Sequence, residues 1–110
     1  MKSILVVNKM YIKNIVSKGK FSSEAPVKED ILKSEKFNIV IVCLEKDQKI
    51  DPHPEPYAVF FFVMEGRGIF TGENGKIELN KGDSIFMGSD KIRGITCIEK
   101  LTILGVQDGH

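Results

Sequence analysis

Seven of the chain's ten glycines and three of its four prolines fall between Asp51 and Gly94, and together they leave little room there for a helix of ordinary length. The stretch opens with Asp51-Pro52-His53-Pro54-Glu55-Pro56 and continues with an apolar run from Tyr57 to Met64. Glu65-Gly66-Arg67-Gly68, a hairpin, Gly82-Asp83 and a last segment ending at Arg93-Gly94 follow. Each proline lacks an N–H and fixes φ, so Asp51–Pro56 is extended and unsuited to a central strand. His53 and Glu55, two residues apart in an extended chain, project to the same side.

The flanking sequence has the same texture. Ile4 to Val7 reads as a short first strand, and Tyr11-Ile12 with Ile15-Val16 as an irregular one. Residues 20–36 are polar and charged and read as a surface loop, with Lys28 to Lys33 able to form a helical turn. Phe37 to Leu44 is apolar on both faces and β-branched, as in a strand covered on both sides. Tyr57 to Met64 is also apolar on both faces, so alternation does not say which face meets the core. One face is expected to meet a second sheet and the other a second subunit.

Gly66 and Gly68 predict a bulge or bend before Ile69-Phe70-Thr71. Asn74-Gly75 predicts a type I′ hairpin returning through Lys76 to Leu79. Ser84 to Met87, Ile92 to Ile98 and Leu101 to Val106 complete about eight short strands, the pattern of an all-β sandwich or barrel.

With 110 residues the chain is long enough for one domain with its own core. A formal net charge of +1 supplies no field to attract nucleic acid or an anionic membrane surface. The four consecutive apolar residues near the amino terminus are too few for a signal-peptide core or a membrane span, which makes the cytoplasm the expected location. Cys43 and Cys97 lie in apolar, strand-like surroundings without Cys-x-x-Cys spacing, and read as buried thiols.

Two segments resemble the motifs of the cupin superfamily of small jelly-roll barrels. Val59-Phe60-Phe61-Phe62-Val63-Met64-Glu65-Gly66-Arg67-Gly68 looks like the strand and turn that close the first motif. Gly82-Asp83-Ser84-Ile85-Phe86-Met87-Gly88-Ser89-Asp90-Lys91-Ile92-Arg93 looks like the second. The resemblance implies an all-β double-stranded β-helix, or jelly-roll barrel, in a single domain. Residues 37–107 would form the barrel core, 1–36 would pack N-terminal strands and a polar loop on it, and 108–110 would be a flexible C-terminus. It also implies a homodimer.

The same resemblance places the family's usual metal ligands. His53 falls on the first family histidine, Glu55 on the second, Val59 on the glutamate and Arg93 on the histidine of the second motif. A valine does not coordinate, and a guanidinium that stays protonated repels a cation. With only His53 and His110 in the chain, a three-histidine site within one chain is excluded. The expectation is therefore no cofactor, with weak divalent binding at His53 and Glu55 as the alternative.

His53, Glu55, Tyr57 and Arg93 are the candidate ligand-binding residues. His53 is either a capping residue or, with its near-neutral pKa, a group for hydrogen bonding or proton transfer. Arg93 either pairs with Glu55 or a shared anion in the space of the metal, or bends out to solvent, and its fork suits bidentate binding of a carboxylate or phosphate. Tyr57 is either a packing residue of the rim or a ligand contact. His110, the last residue, reads as untethered.

Three functions remain open. One is a barrel that binds a small, anionic molecule. Another is a cupin-type enzyme, either a metal-dependent oxygenase or isomerase with unusual ligands or a metal-free acid–base catalyst using His53. The third is a dimeric interaction module without a ligand.

Overall fold

The computed structural model describes residues 11–110, and the strand expected at Ile4–Val7 lies outside them. A short 3-10 helix, Ile15–Lys18, precedes seven strands among the described residues. They are β1 (Val27–Lys33), β2 (Phe37–Leu44), β3 (Lys49–Pro54), β4 (Val59–Gly72), β5 (Gly75–Asn80), β6 (Ser84–Met87) and β7 (Ile92–Asp108). No helix among these residues is long and apolar enough to cross a membrane.

Two long strands turn one continuous antiparallel sheet into two facing halves. The first part of β7 pairs with β3 and with the second part of β4, which also carries β5. The second part of β7 pairs with β2 and with the first part of β4, and β1 and β6 extend that half at its two edges. This is the expected double-stranded β-helix. Val40, Val42, Leu44, Phe61, Val63, Leu101 and Ile103 from one half meet Phe70, Leu79, Ile95 and Cys97 from the other, forming the interior. Phe61 and Phe70 pack as tilted rings with centroids 6.1 Å apart. Cys43 and Cys97 are both free and buried.

The crossover sits at Met64–Gly68, where the β4–β7 register slips three times. Gly66 has φ +83°, and a Cβ there would overlap the backbone carbonyl of Lys100. The expected bulge is thus a corner at which β4 passes from one half-sheet to the other.

Four local expectations are corrected. Residues 27–33 form an edge strand rather than loop and helical turn, because the open edge of β2 supplies backbone partners that composition does not reveal. Ile15 and Val16 belong to the 3-10 helix and pack, with Phe21, on Ile41, Cys43 and Met64. Ile92–Ile98 and Leu101–Val106 are one strand, since Glu99-Lys100 lies exposed within β7 without breaking it. In the β4–β5 hairpin, Gly72 pairs with Gly75 and Glu73-Asn74 is the turn; only Gly75 has positive φ, so the turn is not type I′.

The two faces of β4 also separate. Val59, Phe61 and Val63 point inward, whereas Phe60 is 42% exposed. Register places Leu32, Ile39, Val106, Phe60 and Phe86 directly opposite one another across β1, β2, β7, β4 and β6. Opposite residues share a face, so this is a continuous apolar row on the outside of the barrel, with Phe86 66% exposed at its end. Among the described residues, Ile15, Val16 and Phe21 pack on the neighbouring part of that face, over Ile41 and Cys43.

Candidate functional site

Three connections gather at one end of the barrel: residues 55–58 between β3 and β4, Glu73-Asn74 between β4 and β5, and 88–91 between β6 and β7. Among the described residues the proline-rich β3 reaches this end as an edge strand paired with β7 alone, in keeping with its missing N–H groups. His53 lies directly opposite Arg93 in the β3–β7 register, so the two side chains share a face, Arg93 buried and His53 exposed at the rim. Ile95, two residues further along β7, belongs to the barrel interior.

His53 is held by two acceptors. Its Nδ1 lies 2.8 Å from the Asp51 carbonyl oxygen, and its Nε2 lies 2.8 Å from Glu55 Oε2. A neutral imidazole has one N–H and satisfies one of these contacts, whereas the imidazolium donates to both. The bond to the Asp51 carbonyl, and then that to Glu55, raise the His53 pKa above its ordinary 6.5.

Because the folded-state pKa is raised, His53 contributes stability that is fully present below the unfolded value. That contribution is lost as pH rises through the folded pKa. A Glu55→Gln substitution is expected to lower the His53 pKa measured by NMR titration of its ring protons. An unchanged titration would remove Glu55 as a cause.

Arg93 is 5% exposed. The guanidinium turns back on its own approach turn: Nε donates to the Lys91 carbonyl at 3.2 Å, and Nη2 donates to the carbonyls of Gly88 at 2.8 Å and Lys91 at 3.2 Å. Its carbon lies 5.3 Å from the centroid of the Tyr57 ring, within cation–π range. Nη1 is buried and has no hydrogen-bond partner among the described residues. No carboxylate in those residues lies within ion-pair distance of Arg93; Glu55 is engaged by His53 instead. Both readings of Arg93 as a partner of Glu55 or as solvent-exposed are therefore corrected. The bidentate fork is also unavailable as it stands, because Nε and Nη2 are already committed to carbonyls.

Tyr57 joins Arg93 to the chain's last residue. The His110 ring stacks on Tyr57 with centroids 4.0 Å apart and planes 5° from parallel. Its Nδ1 lies 2.9 Å from the Asp108 carbonyl and 3.3 Å from Nδ2 of the buried Asn38. Burial raises the Tyr57 hydroxyl pKa, with Glu55 adding to the effect, so the phenol remains a neutral donor near neutral pH. The reading of His110 as untethered is therefore corrected: its contacts with Tyr57 and Asn38 depend on β2 and β7 lying side by side, which neither segment reveals alone.

A cleft of about 480 Å³ opens beside this quartet. It is lined by the β4–β5 hairpin, by Ile77, Ile85 and Met87, and by the turn from Gly88 through Lys91 to Ile92. Lys91 Nζ reaches across to Glu73 Oε1 at 3.5 Å. None of His53, Glu55, Tyr57 or Arg93 lines the cleft. The polar quartet and the cleft meet at the 88–92 turn, whose carbonyls Arg93 holds.

The cupin domain family matches residues 40–100, the segment that contains all four of these candidate residues. The chain belongs to the cupin family. Among solved structures it is similar to an RmlC-like cupin protein from Desulfovibrio desulfuricans, at 21% identity over 91% of this chain and 97% of that one, with a TM-score of 0.81. It is similar to a cupin superfamily protein from Desulfitobacterium hafniense at 13% identity over 93% and 94%, TM-score 0.81. KdgF from Halomonas sp. matches at 13% identity over 91% and 92%, TM-score 0.77. At these identities the likeness is one of fold. No curated protein matches the chain in sequence.

The metal implied by the family was tested against the residues at its positions. His53 and Glu55 bond each other, Val59 is a buried hydrocarbon, and the fourth position carries a buried guanidinium. No group of three His, Cys, Asp or Glu comes together among the described residues. This donor set does not fit a divalent cation, whose charge Arg93 would oppose.

Proposed function

We propose that this cupin barrel is a metal-free binding module for a small anionic molecule, with Arg93 supplying the positive charge and His53, Glu55 and Tyr57 forming the polar surround. The supporting observation is the state of Arg93: a guanidinium keeps its charge when buried, and among the described residues it has neither a carboxylate partner nor a partner for Nη1. A buried charge without a counter-ion is costly, and an incoming anion removes that cost. The neutral phenol of Tyr57 adds a hydrogen-bond donor, and the raised pKa of His53 favours its positively charged form beside the site.

Arg93→Met is expected to abolish chemical-shift changes induced by acetate and inorganic phosphate in the wild-type protein. Undiminished changes would take Arg93 out of the site. A second reading, acid catalysis by His53, draws on the two acceptors that hold its imidazolium, a form suited to donating a proton.

The same reading includes a homodimer in the cytoplasm. The row Leu32, Ile39, Val106, Phe60 and Phe86 supports a self-complementary contact, and a net charge of +1 opposes it little. Phe86→Asp is expected to shift a dimer to a monomer in analytical ultracentrifugation. A wild-type protein that sediments as a monomer at tens of micromolar would overturn the dimer.

A further inference from the structure

Resting on the reading of Arg93 as an anion site, we infer that the ligand is a monocarboxylate with an apolar body, its carboxylate on Arg93 Nη1 and its body in the cleft between β5 and β6. Three observations select this class. First, among the described residues only Nη1 has no partner, so the guanidinium offers one nitrogen rather than a fork. That suits one oxygen of a singly charged carboxylate better than a phosphate dianion, which takes several donors.

Second, carboxylates stand near the site on two sides, Glu55 beside His53 and Glu73 across the cleft on Lys91. Both are already paired, which leaves the single charge of Arg93 without a counter-ion among the described residues, and one negative charge neutralises it. Third, the cleft adjoining Arg93 has apolar walls, with Met87 and Ile85 packed on the barrel interior and Ile77 exposed at its mouth, and has room for several methylene groups.

The Gly88–Lys91 turn connects the two parts. Arg93 holds its carbonyls, Asp90 N donates to the Glu55 carbonyl at 2.7 Å, and its outer surface is a wall of the cleft. Nη1 is closed to solvent. The inferred carboxylate enters along the cleft and reaches Nη1 by displacing the turn, with its apolar chain against Ile77, Ile85 and Met87.

The test uses acetate, butanoate, hexanoate, hexylammonium and inorganic phosphate as probes, titrated into the whole chain and followed by NMR. Affinity is expected to rise from acetate to hexanoate by on the order of fourfold per buried methylene. Hexylammonium and phosphate are expected to bind more weakly than hexanoate. Ile77→Ser, at an exposed position, is expected to flatten the chain-length dependence while leaving acetate binding unchanged.

Arg93→Met is expected to remove hexanoate binding. Equal affinities for acetate and hexanoate, both lost in Arg93→Met, would overturn the apolar body and leave the anion site standing. Phosphate binding tighter than hexanoate would overturn the class of ligand. Carboxylate binding unaffected by Arg93→Met would overturn the anion site and this inference with it.

Discussion

Gly66→Val is expected to leave most of the chain unfolded at 25 °C. Gly66 lies at the corner where β4 leaves one half-sheet for the other, with φ +83°, and a β-branched residue in that region is strained by about 1–3 kcal/mol. The larger effect is steric. A Cβ there would overlap the carbonyl groups of Glu99 and Lys100, which are backbone atoms of the paired strand and have no rotamer to move into. Relief requires separating β4 from β7 at the bend that both half-sheets share.

A domain of this size has a total stability of about 5–15 kcal/mol, which loss of that corner is expected to consume. Gly72→Ala is the control, because a Cβ at Gly72 meets nothing within 4 Å. Far-UV circular dichroism with a thermal scan checks both. A cooperative Gly66→Val transition within a few degrees of wild type would show that the bend does not need glycine.

Phe70→Ala is expected to cost about 3–5 kcal/mol, the range for deleting a buried phenylalanine and leaving part of its volume empty. Phe70 is fully buried and is brought opposite Ile95 and Ile77 by the β7 and β5 registers, with the Phe61 ring against it from the other half-sheet. Its neighbours are strand residues fixed by hydrogen bonding on both sides, so the cavity has little scope to collapse. At about 4 °C per kcal/mol, the midpoint of thermal unfolding falls by about 12–20 °C. A loss below about 1 kcal/mol in urea titration would mean that the two half-sheets close over the missing ring.

Much of the architecture was legible because it rests on local rules. Three prolines at alternate positions predicted an extended segment unsuited to a central strand, and among the described residues β3 pairs with β7 alone. Gly66 and Gly68 predicted a bend, and the β4–β7 register breaks there. Where local composition and the sheet disagreed, the sheet prevailed. Residues 27–33 are charged enough to resemble a loop, yet they satisfy the open edge of β2. Glu99-Lys100 resembles a break between strands, yet in β7 it is an exposed part of a strand paired on its neighbours.

The site divides in the same way. Its residue types follow from the sequence: His53, Glu55, Val59 and Arg93 at positions where the resemblance to cupins implies metal ligands, and therefore a set unsuited to a divalent cation. That statement needs no coordinates, because valine has no donor atom and a guanidinium keeps its charge. Which partner each side chain takes was decided by tertiary structure.

Glu55 is two residues from His53 on an extended strand and bonds it, whereas Arg93 has the carbonyls of its own 88–91 turn within reach and uses them. Cross-strand register sets the distance from Arg93 to Glu55, and register is a property of paired strands rather than of either segment. The His110 ring on Tyr57 and the cleft beside Gly88–Ile92 have the same origin, since each joins segments that only the folded barrel brings together.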